Sequence, residues 1–161
     1  MQPAAARVQA TLRSLGLTGE VVELGQSART ATDAAVACGV GVGQIVKSLV
    51  FVAGEEPILV LVSGRNHADE RRLRALTGRA VRRADADLVR AATSFAIGGV
   101  PPVGHPQSLR TLVDLDLLGY ERLIAAAGTP HAVFPVTPAE LLRVTNGEVV
   151  DIKREEGVPC G

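Results

Sequence analysis

Aromatic residues are almost absent from this sequence: its 161 residues include three Phe, one Tyr and no Trp. The core must therefore consist mainly of Val, Leu, Ile and Ala. Recognition of nucleic acid by stacking bases on exposed rings is disfavoured, because that mode needs exposed aromatic side chains. The 17 basic and 17 acidic residues balance, so a broad electrostatic contact with a nucleic-acid backbone is not indicated.

Cysteine, long apolar runs and metal-binding motifs are also scarce. Cys38 and Cys160 are far apart and lack CxxC spacing, which argues against a disulfide framework or a zinc site and agrees with a reducing cytoplasm. No segment approaches ~18 uninterrupted apolar residues, and the N-terminus lacks a signal-peptide core. No HExxH motif or Cys/His cluster occurs. We therefore expect a cytoplasmic protein with no membrane span, no metal and no cofactor.

Helix and strand patterns interleave along the chain without a strict βαβ rhythm. Residues 44–53 and 57–63 are apolar, β-branched runs joined by a short turn with glycine, which predicts a β-hairpin. The sequence predicts an α/β protein with one mixed, strongly bent β-sheet and surrounding helices. We expect a single domain over residues 1–161, with a core of about 20–152 and a loose polar tail at 153–161.

Several polar residues are predicted to cap helices. Thr30 precedes an Ala-rich helix, Asn66 an Arg-rich one, and Thr137 opens a capping box. Asp114 and Asp116 lie two residues apart; we expect them to end a strand and to cap the next helix, with a carboxylate acid/base pair as the alternative.

Lys47 is the most unusual residue of the chain, since it interrupts the apolar run of residues 44–52. Such a run is typical of a strand buried on both faces, where an ammonium is costly unless it has a partner or reaches water. Two interpretations remain open. Lys47 lines a cavity that binds an anionic or polar ligand, or it lies near the strand end and extends its charge to the surface.

Arginines are concentrated in one stretch of the chain. A solvated helix face and strand edge explain this concentration, and a functional basic patch is the alternative. The stretch contains Arg65, Arg71, Arg72, Arg74, Arg79, Arg82, Arg83 and Arg90.

The segment 98–106 cannot form regular structure, because it contains three glycines and three prolines. Glycines let a backbone approach a ligand closely, and prolines stiffen the path. The amides of Gly98, Gly99 and Val100 are therefore candidate donors to a carbonyl or an oxyanion. A rigid crossover loop without a ligand is the alternative.

Four segments in this order resemble the YbaK/prolyl-tRNA-synthetase-associated editing domain family. They are Thr30 with its Ala-rich helix, the segment 42–49 around Ile45-Val46-Lys47-Ser48-Leu49, the glycine-proline loop 98–104, and the segment 128–131. The resemblance covers about residues 27–145. Its most specific parts are the lysine strand and the GxxxP element from Gly98 to Pro102.

The resemblance implies a trans-editing hydrolase that deacylates mischarged aminoacyl-tRNA, such as Ala or Cys on tRNA(Pro), without a metal. It implies catalytic roles for Lys47 and Gly98, and the loop amides add Gly99 as a third catalytic candidate. The partners it implies are the 3′ end of aminoacyl-tRNA and a prolyl-tRNA synthetase; it leaves monomer and homodimer open. The implied substrate-binding residues are Thr30, Ser48, Val100, Pro101, Pro102, Gly128, Thr129 and His131.

The predicted chemistry needs no protein nucleophile, because an aminoacyl ester is already activated toward hydrolysis. Amides of the glycine loop would stabilise the oxyanion, and Lys47 would hold a phosphate or hydroxyl of the terminal adenosine. The alternative function is a non-catalytic module, associated with a synthetase, that binds a small ligand or aminoacyl-tRNA.

Overall fold

The computed structural model describes residues 1–155, and the fold it shows is a mixed β-sheet with helices on both faces. The helices are α1 (Pro3–Ser14), α2 (Ala31–Cys38), α3 (Glu70–Thr77), α4 (Ala86–Thr93) and α5 (Pro138–Thr145). The strands are β1 (Val22–Glu23), β2 (Ile45–Ala53), β3 (Glu56–Ser63), β4 (Val81–Arg83), β5 (Arg110–Asp114), β6 (Leu123–Ala126), β7 (Ala132–Val136) and β8 (Glu148–Val150).

The strand order confirms the predicted mixed sheet. The order is β1-β7-β6-β2-β3-β5-β8, and β4 makes an additional pairing with β2. The pairs β2–β6, β3–β5 and β5–β8 are parallel, and the others are antiparallel. The predicted hairpin of β2 and β3 is confirmed, with pairing from Val46↔Ser63 to Ala53↔Glu56.

Alternate residues of the central strands point to opposite faces of the sheet, and each face packs against its own apolar residues. Val46 and Val50 of β2 belong to the larger core, which α1, α4 and α5 cover through residues such as Leu12, Val89 and Leu141. The opposite face carries two smaller clusters. One packs Ile45 against α2, and the other packs Phe51 against α3. Lys47 lies on this second face, between the two clusters.

Two predictions about local structure differ from the fold. Asn66 does not cap α3; the cap is Asp69, whose side chain accepts a hydrogen bond from the Arg71 amide at 2.9 Å. The patterns above also assign no strand to the segment that forms β6, whose Leu123–Ala126 run is only four residues long. The predicted caps Thr30 and Thr137 are confirmed, and Asp85 caps α4.

The chain after β8 pairs with the segment between β3 and α3. Lys153 forms an isolated bridge with Ala68, and the Arg154 amide donates to the His67 carbonyl at 2.7 Å. Residues 156–161, with Cys160 and the end of the predicted tail, lie outside the described residues. No helix within residues 1–155 is long and apolar enough to span a membrane.

Candidate active site

One edge of β2 is interrupted, and a cavity of about 350 Å³ opens at this interruption. The first edge of β2 pairs with β3 along almost its whole length. The second edge pairs with β6 only at Ile45 and Val46, and with β4 only from Phe51 to Ala53. Residues 47–50 therefore lack a neighbouring strand on this side. In agreement, residues 47–49 are partly exposed although β2 is otherwise buried.

Among residues 1–155, the cavity wall is largely apolar, contains three cationic side chains and includes no Asp or Glu. The cations are Arg29, Lys47 and Arg83. An apolar chamber with cations and no carboxylate suits a small apolar group joined to an anion. The lining residues are Ala28, Arg29, Thr30, Ala31, Ala34, Ile45, Val46, Lys47, Ser48, Leu49, Val50, Arg83, Ala84, Val89, Ile97, Gly98, Val100, Ile124, Ala125, Ala126 and Val133.

Lys47 lies in the cavity wall, as the first of the two sequence interpretations expects. Its Nζ donates a hydrogen bond to the backbone oxygen of Asn66. Burial lowers the pKa of the Lys47 ammonium below its ordinary value, Arg83 lowers it further, and Asp114 partly opposes both effects. A cation in this setting gains from an anionic ligand that replaces lost hydration. The catalytic role of Lys47 stays a prediction.

A buried carboxylate fixes the turn that holds Lys47. Asp114, only 1% exposed, accepts hydrogen bonds from the Ser63 amide (3.0 Å) and from Asn66 Nδ2 (2.9 Å). Asn66 Nδ2 also donates to Asp116 Oδ2 at 2.8 Å. Asp114 accepts from the Asp116 amide as well, at 3.0 Å, so it ends β5 and caps the following turn. Its contacts are those of a structural residue.

The glycine loop contributes two residues to the cavity, Gly98 and Val100. Gly98 has φ +91°, and a Cβ there would lie 2.8 Å from Arg29 Cγ, so no other residue fits without displacing that side chain. Gly99 is placed differently, because its amide donates to the Ala96 carbonyl at 3.0 Å. Within residues 1–155 the amides of Gly98 and Val100 have no acceptor. We therefore restrict the candidate oxyanion donors to these two.

The remaining predicted site residues fall into two groups. Thr30 and Ser48 line the cavity, and Thr30 Oγ1 also accepts from the Asp33 amide at 3.1 Å. Outside the lining are Pro101, Pro102, Gly128, Thr129 and His131.

Gly128 and Thr129 support the loop from behind. The Gly128 amide donates to the Gly99 carbonyl at 2.9 Å, and a Cβ on Gly99 would lie 2.9 Å from the Thr129 Cα. His105 fixes Pro101 through a contact of 2.8 Å between its Nε2 and the Pro101 carbonyl oxygen. Substrate contacts for these outer residues stay predictions.

Arg29, Arg83 and Ile97 line the cavity and were not predicted. The guanidinium of Arg83 lies 5.4 Å from the centroid of the Phe51 ring. Neither Arg29 nor Arg83 forms an ion pair within the described part of the chain. The arginine-rich stretch was the available signal for Arg83, but its pattern does not show which arginine reaches the cavity.

Comparison with known proteins places this geometry in context. The model of the aminoacyl-tRNA editing domain family matches residues 26–144. A crystal structure of a proposed trans-editing enzyme for prolyl-tRNA synthetase superposes with a TM-score of 0.93 and 50% identity, covering 96% of this chain and 99% of that one.

Two curated relatives agree with this match. A proposed Cys-tRNA(Pro)/Cys-tRNA(Cys) deacylase of Enterococcus faecalis, EbsC, is 26% identical over 129 residues, which are 79% of each chain. A proline–tRNA ligase of Citrifermentans bemidjiense is 33% identical over 96 residues, which are 59% of this chain and 17% of the ligase.

Proposed function

Because the chain belongs to the aminoacyl-tRNA editing domain family, we propose that its cavity hydrolyses the ester between a small amino acid and the 3′ end of a mischarged tRNA. The observation that carries this function is the cavity wall, which among residues 1–155 combines apolar side chains, three cations and two loop residues with unpaired amides, and includes no carboxylate. The names of the relatives favour Cys on tRNA(Pro), and the sequence resemblance adds Ala.

The walls of the cavity favour a small acyl side chain. Val46, Val50 and Ala125 come from one face of the sheet, and Ile45 and Ile124 come from the other. An apolar pocket discriminates one methylene by only about 1–3 kcal/mol. A pocket of this kind rejects large residues sterically and removes small residues that a synthetase fails to exclude.

The cations position the tRNA end. Lys47 and Arg83 line one cavity, and the charge of Arg83 lowers the pKa of the Lys47 ammonium. Two cations held close together are stabilised by an anion between them. The phosphate of the terminal adenosine supplies such an anion, and its binding fixes the ester in the cavity.

The reaction is addition of water to the ester carbonyl carbon, followed by cleavage of the bond to the ribose oxygen. The amides of Gly98 and Val100 donate to the carbonyl oxygen as it gains negative charge. The ribose oxygen leaves with a proton, and the free amino acid is released. We propose that this step is metal-independent; within residues 1–155 no three His, Cys, Asp or Glu side chains are grouped to hold an ion.

We further propose that the protein acts in trans in the cytoplasm, on aminoacyl-tRNA released by prolyl-tRNA synthetase. The experiment that tests the function measures deacylation of tRNA(Pro) charged with Ala, Cys, Ser or Pro, with and without a chelator. We expect turnover of a small non-cognate residue, little turnover of Pro, and no effect of the chelator. Binding without turnover across the set would contradict the proposal and favour a non-catalytic module.

A further inference from the structure

The backbone of Ser48 points into the gap of the sheet and has no hydrogen-bond partner there among residues 1–155. The Val50 carbonyl accepts a hydrogen bond from the Ala84 amide at 3.1 Å, so the polar groups of Val50 face the interrupted edge. Backbone groups of every second residue in a strand point to the same edge. The N–H and C=O of Ser48 therefore also face the gap, whereas those of Lys47 and Leu49 face β3.

In the part of the chain that the structure describes, no neighbouring strand reaches Ser48 on this side. The ladder with β6 ends at Val46↔Ala125, and the ladder with β4 begins at Phe51↔Arg83. The Ser48 hydroxyl is likewise unsatisfied, since its Oγ is buried and has no hydrogen-bond partner within residues 1–155. Buried polar groups in folded proteins are almost always paired. Three unpaired groups on one residue of a cavity wall indicate that a polar ligand completes their hydrogen bonds.

We propose that Ser48 binds the aminoacyl group as if it were one residue of an added strand. In an antiparallel hydrogen-bonded pair, two opposed residues exchange both of their N–H···O bonds. An extended aminoacyl ester presents its α-amino group and its carbonyl oxygen on one side, as a strand residue does. The Ser48 C=O accepts from the amino group, and the Ser48 N–H donates to the carbonyl oxygen, as in recognition by strand addition.

This binding mode rests on the proposed function and extends it. The carbonyl oxygen of the bound ester has two lone pairs, so one remains available to a loop amide when Ser48 occupies the other. The oxyanion that forms on attack has a third lone pair, which accepts from the second loop amide. Because only main-chain groups are recognised, any α-amino acid satisfies the contacts at Ser48. Selection by size is left to the side chains of the cavity wall, and substrates that lack the α-amino group lose one hydrogen bond.

Hydrogen exchange of individual amides, measured by NMR, tests the proposal without any substitution. The probe is 3′-deoxy-3′-(L-alanylamino)adenosine, whose amide bond resists hydrolysis, and the control is its 3′-propionylamino counterpart, which lacks the α-amino group. In the free protein we expect the Ser48 amide to exchange at least about tenfold faster than the Leu49 amide, which pairs with β3. The alanyl probe should slow Ser48, and the propionyl probe should bind about tenfold more weakly.

Two outcomes of the exchange experiment overturn the proposal. One is a Ser48 amide that already exchanges as slowly as Leu49 in the free protein. The other is an alanyl probe that shifts the resonances of Gly98 and Val100 but leaves Ser48 exchange unchanged.

A pair of proline variants tests the same geometry by kinetics. Proline removes a backbone N–H. Ser48→Pro removes the free donor, whereas Leu49→Pro removes a donor that the β3 ladder uses. We expect Ser48→Pro to fold and to lose at least about tenfold in kcat/KM, and Leu49→Pro to be strongly destabilised. Ser48→Ala, which removes the unpaired hydroxyl but keeps both backbone groups, should lose less kcat/KM than Ser48→Pro.

A folded Ser48→Pro variant with unchanged kcat/KM overturns the proposal. If this variant does not fold, the exchange measurement decides. If the wild type deacylates charged tRNA but the alanyl probe does not slow exchange of the Ser48 amide, the binding mode is refuted and the proposed function stands. Protection of Ser48 by the alanyl probe, together with no hydrolysis of any charged tRNA, would refute the proposed function instead.

Discussion

Lys47 is held in the cavity wall by the turn that follows β3. Its ammonium donates to the Asn66 backbone oxygen, and the Asn66 side chain is fixed in turn by Asp114 and Asp116. The carboxylates thus act on the position of Lys47 through Asn66 and leave its charge available to a ligand. This separation of roles explains how an ammonium is tolerated in an apolar strand.

Replacing Lys47 tests whether this charge positions the substrate. Lys47→Ala should reduce kcat/KM for deacylation of mischarged tRNA by about 10- to 100-fold, because a hydrogen bond to a charged group contributes about 1.5–3 kcal/mol. Lys47→Arg keeps the charge and should recover part of the rate. Urea unfolding of both variants serves as the control. Equal values of kcat/KM for Lys47→Ala and the wild type would show that the Lys47 charge does not position the substrate.

The pKa of Lys47 predicts a pH dependence with a definite sign. Burial and Arg83 hold this pKa below the value for a free lysine. The ammonium is therefore lost at a lower pH than usual, and its contribution to kcat/KM should fall as the pH rises through that lowered pKa. Lys47→Arg should not show this fall, because arginine stays protonated. The measurement is kcat/KM against pH for the wild type and Lys47→Arg, corrected for uncatalysed hydrolysis of the ester. Identical profiles at alkaline pH would contradict a role for the Lys47 ammonium in substrate binding.

The lowered pKa of Lys47 affects the free energy of unfolding in the opposite direction to its effect on kcat/KM. Between the folded and the unfolded pKa of Lys47, the unfolded chain binds more protons. The contribution of Lys47 to the free energy of unfolding therefore rises with pH in this window.

Elements with strong local signals were predictable from the sequence. The β2–β3 hairpin has two long β-branched runs, and Thr137 opens a capping box followed by Pro138, so local chemistry alone determines these features. β6 gave no such signal, because a run of four apolar residues has no measurable period and its strand is defined by pairing with β2 and β7.

Asn66 and the cavity show the limit of local patterns. Asn66 has the residue type of a helix cap, but Asp114, 48 positions away, binds its side chain. The gap in the sheet likewise depends on where the pairing of β4 and β6 with β2 ends. The residues of β4 and β6 are far from Lys47 in sequence, so the pattern around Lys47 does not predict the gap. Sequence patterns identified Lys47 and the glycine loop, and the family resemblance added Ser48 and implied a shared site. The gap in β2 at which they meet is visible only in the tertiary structure.

The turn that holds Lys47 should depend on Asp114. Asp114→Ala leaves the Ser63 and Asp116 amides without their acceptor and frees Asn66 from β5. We expect a loss of about 2–4 kcal/mol in the free energy of unfolding, measured by urea denaturation, because unpaired buried donors cost about 1–3 kcal/mol each. The matched control is Asp116→Ala, whose carboxylate is about one-third exposed and should change stability by less than about 1 kcal/mol. Equal losses for the two variants would contradict the role of Asp114.

At the scale of the whole molecule, balanced charge and a cationic cavity occur together. The chain has no net charge, yet Arg29, Lys47 and Arg83 line one cavity, to which no carboxylate within residues 1–155 contributes. We therefore expect long-range attraction of tRNA to be weak and electrostatic contact to be concentrated at the tRNA end. This distribution fits an enzyme that binds a few terminal nucleotides and depends on a synthetase partner for the rest of the tRNA.

The dependence of KM on salt measures how many phosphates the protein contacts. For single strands, log affinity falls with log salt at a slope of about −0.7 per neutralised phosphate. If the cavity cations bind one or two phosphates of the tRNA end, log(1/KM) should fall with a slope of about −0.7 to −1.4. Arg83→Gln should raise KM at low salt and reduce the slope by up to about 0.7.

Arg79→Gln is the matched control for Arg83→Gln, since Arg79 pairs with Glu56 at an exposed position and does not line the cavity. It should leave both KM and its salt dependence unchanged. A slope steeper than about −3 would mean that more than four phosphates are bound, and the contact would then extend along the acceptor stem. Equal effects of the two substitutions would show that general charge, and not the cavity, attracts the substrate.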